Sequence, residues 1–291
     1  MVERTKETPK YESPLKIVDP SKEEDFENIE TFHGSIAKLL NVINHGINKI
    51  ETGSQTEKDP AILFYRTYEL IKVAVEEKIE VDRAKKGYTD TAIDAIRLAT
   101  DLAIACDLKD EKAREIFKEF KRKIITTSLR DMLRKHLEES PDFGITPEHP
   151  ADKDLELARE IAGQAKGREI LVIGIGHRGI RRSLDIFLNY RAETNTPDSV
   201  FWPVRFSANC GDRHYPNISW QEAEELKRIA RSKKVVIIGP KERMEGATAH
   251  LKQILLKGEK SIDIELPAKP EESKPILSPH LLKKAAVLKK L

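Results

Sequence analysis

Four short apolar runs in the second half of the chain, each followed or preceded by a stretch with helical spacing, restrict the fold more than any other feature. They are REILVIGI (168–175), SVFWPVRFSA (199–208), KKVVIIG (233–239) and SIDIELPA (261–268). The segments Gly179–Tyr190, Trp220–Arg231 and Ala247–Lys257 lie between them and carry helical periodicity. Strands that are apolar almost throughout belong in a sheet covered on both faces, and a repeated β-then-α order makes that sheet parallel. Ligands of such sheets bind beyond the carboxyl ends of the strands. Residues 174–179, 206–215 and 239–248 are therefore expected on one rim.

The first half reads differently. Residues 1–22 hold Pro9, Pro14 and Pro20 among charges and are expected to form a flexible arm. Helical periodicity then runs over 24–50, from Asp59-Pro60 to Lys86-Gly87, from Asp90 through Ile104, and from Asp110 through Leu137. Four amphipathic helices with short connections predict an antiparallel bundle over 23–140. His33 and His45 fall in the first of them, without the spacing of a metal site. Pro141, Pro147 and Pro150 mark a boundary, and a further helix starts at Asp152 and stops at Lys166-Gly167. The expected architecture is two-domain α+β: a helical bundle, then a parallel α/β domain over 150–270. A Lys-rich tail, 271–291, is weakly helical from His280.

Lys+Arg is 51 and Asp+Glu is 49, so the net charge gives no argument for nucleic acid or a membrane surface. Cys106 and Cys210 lack metal-ligand or CxxC spacing, the N-terminus has no apolar signal region, and no run reaches membrane-span length. The expectation is a cytoplasmic protein.

Two turns on the expected rim carry the chemistry. In KKVVIIGPKERMEGATAH (233–250) a strand and a Gly-Pro turn lead to Gly246, Ala247 and Thr248, predicted to open a helix whose free N–H groups favour a phosphate. After the first strand, Gly174-Ile175-Gly176-His177-Arg178-Gly179 satisfies GxGxxG, the spacing of a dinucleotide-binding turn. The second strand ends in Arg205-Phe206-Ser207, with no acid to hold a ribose.

Over 165–268 the chain resembles the type I phosphoribosyltransferases. VIGIGHRGIRRSLDIFLN looks like that family's first strand, pyrophosphate loop and helix. VFWPVRFSA with NCGDRHYPNIS stands where the family has a loop that closes over substrate. VVIIGPKERMEGATAHLKQIL looks like the phosphoribosyl-pyrophosphate loop. The resemblance implies a phosphoribosyltransferase-like fold that binds a phosphorylated ribose or nucleotide. It implies Mg²⁺ only if transfer takes place. One departure is decisive: where the family carries two acids to hold the ribose hydroxyls, this chain has Pro240 and Lys241. A lysine there opposes a divalent cation. Weak or absent transfer, with a sensor or regulatory role, follows.

The residues expected to hold phosphate are Gly176, His177, Arg178 and Gly179 from the first loop, Arg205 and Ser207 from the second, and Lys241, Arg243, Gly246, Ala247 and Thr248 from the third. Arg181, Arg182, Asp212, Arg213 and His214 lie beside them. No residue is assigned a catalytic role or a metal. Three alternatives stay open: an active pentosyltransferase with a rearranged site, an interaction protein working through its bundle as a homo-oligomer or with a protein partner, and a Rossmann-type dinucleotide binder.

Overall fold

The structure, a computed structural model, describes residues 34–56, 59–84, 89–127, 129–130, 133, 136–137, 151–205, 218–256 and 261–266. The predicted arm, the start of the first predicted helix, the boundary at 141–150, the loop 206–215 with Cys210, and the tail lie outside the described residues.

Strand β1 (Gly34–Ser35) leads into α1 (Ile36–Glu51), capped where the Ser35 hydroxyl accepts the Lys38 N–H at 3.2 Å. Helices α2 (Asp59–Arg83), α3 (Thr89–Leu108) and α4 (Ala113–Thr126) follow. Each packs on its chain neighbour, and α4 returns against α1. Arg114 of α4 fixes that closure by donating to Glu51 of α1 at 2.6 Å.

The fourth predicted helix is shorter than its periodicity suggested. It stops at Thr126, and Leu137 lies instead in β2 (His136–Leu137), antiparallel to β1. The Thr126 and Thr127 hydroxyls donate back to the carbonyls of Arg122 and Lys123, at 2.7 and 2.6 Å. Such local bonds compete with helix propagation, and Thr127 is already extended.

Helix α5 (Ala151–Ala165) ends where Lys166 and Gly167 turn left-handed, φ 53° and 65°. The α/β order then runs β3 (Ile170–Ile175), α6 (His177–Thr194), β4 (Val200–Val204), α7 (Trp220–Ala230), β5 (Lys234–Pro240), α8 (Lys241–Leu255) and β6 (Ile262–Leu266). All four strands pair in parallel, in the order β4-β3-β5-β6. The molecule is thus α+β, with eight helices and one small parallel sheet among the described residues.

The chain leaves β3 in one direction, to β4, and returns across it to β5 and β6. That reversal puts helices on both faces. Val172, Val236 and Ile238 meet Leu184 and Phe187 of α6, while Ile173, Ile175 and Ile237 meet Leu226 of α7 and Leu251 of α8. The first of these cores continues through Leu70, Ile96 and Phe120, so the helical half and one face of the sheet share an apolar interior. Pro203 cannot donate to a ladder and occupies edge strand β4, which α2 and α3 cover. No helix among the described residues is long and apolar enough to cross a membrane.

Candidate functional site

The strand order reverses between β3 and β5, and their carboxyl ends open side by side. Crevices of this kind are where open α/β sheets bind ligands. Two helices start there without a connecting loop: α6 directly after Gly176 and α8 directly after Pro240.

The β3 turn rests on two glycines with different tasks. A Cβ on Gly174 would stand 2.9 Å from Phe201 Cζ and 3.0 Å from Ser183 Cβ, so glycine lets α6 lie close to the sheet. Gly176 has φ 75° and ψ 158°, a region open essentially to glycine alone. Its N–H extends the sheet by donating to Val204 at 2.8 Å, and its carbonyl accepts the first helical bond, from Ile180 at 2.9 Å. The N–H groups of His177, Arg178 and Gly179 therefore precede the helical ladder.

The β5 turn differs from the sequence expectation. Gly246, Ala247 and Thr248 do not open a helix; they lie in the second turn of α8, which starts at Lys241. Their N–H groups fall within the i→i−4 ladder, and Ala247 and Thr248 are buried. The physical reason is local. Proline is tolerated at a helix entrance, and Lys241, Glu242, Arg243, Met244 and Glu245 are all adequate or strong helix formers. The unbonded amides at this end are those of Lys241, Glu242 and Arg243. Gly176 and Pro240 have no side chain able to cap, unlike Ser35 of α1 or Ser219 of α7. Two uncapped positive helix ends thus start at neighbouring carboxyl ends of the sheet.

The described rim arginines are engaged by the protein. Arg205, at the end of β4, forms an ion pair with Glu76 of α2, and burial pushes its guanidinium below its ordinary value. Arg181 donates to the Tyr65 hydroxyl of α2 at 2.6 Å and lies 4.4 Å from that ring's centre. Arg182 donates to Asp154 of α5 at 2.6 Å, both nearly buried. Burial pushes the Asp154 carboxyl up, against the opposing pull of Arg182. Ser207, Asp212, Arg213 and His214 lie outside the described residues. For His177, Arg178, Gly179, Lys241 and Arg243 the backbone places them in the first turns of α6 and α8.

Sequence reasoning placed helix α2 but missed its role beside the rim. From Ile62 to Val81 almost every side chain is buried, including Arg66, Lys72, Glu77 and Lys78. Lys78 reaches Glu222 of α7 at 2.5 Å, and Glu222 accepts the Trp202 indole N–H at 2.9 Å. Helix α2 therefore touches α6, the end of β4 and the first turn of α7, along the side of the rim. The signal was present: on a helix Val73, Ala74 and Val81 fall among the charges of Glu76, Glu77, Lys78 and Glu80, leaving no clean polar face for solvent.

Among the described residues no group of three or more His, Cys, Asp or Glu side chains is arranged to hold a metal ion. Compared with protein-family models, curated proteins and solved structures, the chain gives no match.

Proposed function

We propose that the crevice between β3 and β5 binds a phosphorylated ribose or nucleotide without transferring it. The observation that carries this reading is the pair of uncapped helix N-termini at the point where the strand order reverses. Backbone N–H groups and aligned dipoles at such ends favour a phosphate. The order of glycine turn, second strand and third strand is the one that suggested a phosphoribosyltransferase-like domain. Transfer is not part of the proposal. With α8 starting at Lys241, no loop separates β5 from the helix, and Pro240 and Lys241 offer no carboxylate to a ribose hydroxyl or to Mg²⁺.

Calorimetric titration with pyrophosphate, ribose 5-phosphate and phosphoribosyl pyrophosphate tests this. Binding is expected, without Mg²⁺-dependent release of pyrophosphate. Gly176→Ala should weaken binding about tenfold or more by distorting the α6 entrance. Gly167→Ala, at another positive-φ glycine that precedes the amino end of β3 rather than its carboxyl end, serves as the control for lost stability. Thr248→Ala should bind as the parent does. A folded protein that binds none of the three probes would sink the proposal.

A second reading concerns regulation by the helical half, and the Arg205–Glu76 pair favours it. A phosphate drawing on Arg205 competes with Glu76, so occupancy of the crevice loosens α2. Glu76→Gln is then expected to tighten pyrophosphate binding about threefold to tenfold, measured by the same titration. Unchanged affinity in that variant would separate α2 from the ligand.

A further inference from the structure

At the opposite end of the sheet, a cavity of about 320 Å³ opens where the C-terminal end of α3 meets the last turns of α6 and the start of β4. Its size matches the lower range of small-molecule sites. Leu108, an exposed large apolar residue, and Phe201 are among its apolar walls. Its charged lining is unbalanced: Asp101, Asp110 and Asp198 against Arg191.

Three further features give the cavity a negative character. The last turn of α3 holds no basic residue, so no side-chain charge there offsets its negative end, whose Ala105 and Cys106 carbonyls accept the Asp110 and Lys109 N–H groups. Glu169 adds a fourth acid within the field of Arg191. None of Asp101, Asp198 and Arg191 makes a direct ion pair within the described residues. Burial pushes the Arg191 guanidinium below its ordinary value, and its side chain turns over the Phe187 ring at 5.9 Å. Asp101 keeps a side towards solvent, yet the protein packed around it holds its carboxyl above the usual range, with Arg97 and Arg191 opposing. A carboxylate that is partly desolvated and lacks a direct partner, as Asp101 is, gains from a cation that brings its own N–H donors, and Asp198 adds a second negative charge at the exposed mouth. The apolar walls add a preference for a cation with a hydrocarbon body.

We propose that this cavity binds a small organic cation, a protonated amine or diamine on an aliphatic stem. Its ammonium group lies between Asp101 and Asp198 and its methylenes against Leu108 and Phe201. The site is remote from the crevice between β3 and β5 and takes the opposite charge, so it stands independently of the phosphate reading.

Titration of the full chain with 1,5-diaminopentane tests the proposal, with methylammonium as a probe of charge alone. The diamine is expected to bind with a Kd of about 1 mM or tighter, and methylammonium at least about tenfold more weakly. Asp101→Asn with Asp198→Asn should weaken the diamine about tenfold or more. Asp110 is left in place because its carboxylate accepts the Lys112 N–H at 2.9 Å. Glu160→Gln, an exposed charge on α5 outside the cavity lining, should change nothing. Absence of binding at about 10 mM would overturn the site. So would equal affinity in the double variant, or equal affinity for methylammonium.

Discussion

Replacing Lys78 with alanine is expected to destabilise the protein by about 3–5 kcal/mol, because it leaves a buried carboxylate without its counter-charge. Lys78 Nζ lies 2.5 Å from Glu222 and 2.9 Å from Asp82, and the side chains of Lys78 and Glu222 are each 2% exposed. The pair itself need not stabilise the fold, since desolvating two charges offsets much of their attraction. The asymmetry makes the test sharp. The single change should lower the urea midpoint strongly, whereas Lys78→Met combined with Glu222→Gln, which keeps an acceptor for the Trp202 indole, should restore much of the loss. A single variant as stable as the parent would show that Glu222 finds another partner.

Trp202→Ala is expected to cost a similar amount, about 3–5 kcal/mol, from the cavity left by a fully buried ring. The indole also donates to Glu222 at 2.9 Å, so Trp202→Phe keeps most of the packing and isolates the hydrogen bond, at about 1–3 kcal/mol. Lys78 and Trp202 act on one carboxylate. Their effects should therefore fall short of or exceed the sum by at least about 0.5 kcal/mol in a double-mutant cycle. Strict additivity, read from denaturant midpoints, would mean that Glu222 is not the shared element.

These two residues also show how far the sequence could be read. The sheet was legible because its strands are covered on both faces and so are apolar without alternation, as in ILVIGI of β3. The carboxyl-end rim was expected from the β-then-α order, whereas the strand order β4-β3-β5-β6 was not legible there. Less legible was where helices begin and end. Gly239-Pro240 reads as a turn and Gly246 as a helix opening, but a run of helix formers carries α8 across Gly246 at a cost of about 1 kcal/mol. Ser219-Trp220-Gln221-Glu222 at the start of α7 has the residue types of a reciprocal capping box. Half of it forms, with the Ser219 hydroxyl accepting the Glu222 N–H at 3.2 Å, while the Glu222 carboxylate turns to Lys78 and Trp202. No local pattern announces that diversion, because both partners come from distant parts of the chain. The pairing of Arg205 and Arg181 was not legible, because their partners Glu76 and Tyr65 belong to a helix assigned to another domain.

The position of α2 has a consequence for the order in which the protein can be made. Tyr65 and Arg181 are 116 positions apart, and Lys78 waits still longer for Glu222. A ribosome adding about 5–20 residues per second needs roughly 7–30 s to bridge that interval. During it the nascent helix cannot bury Lys78 against α7. Helix α2 can pack on α1 and α3 early, with Asp82 beside Lys78, but its buried ion pair with Glu222 forms only once α7 has been made.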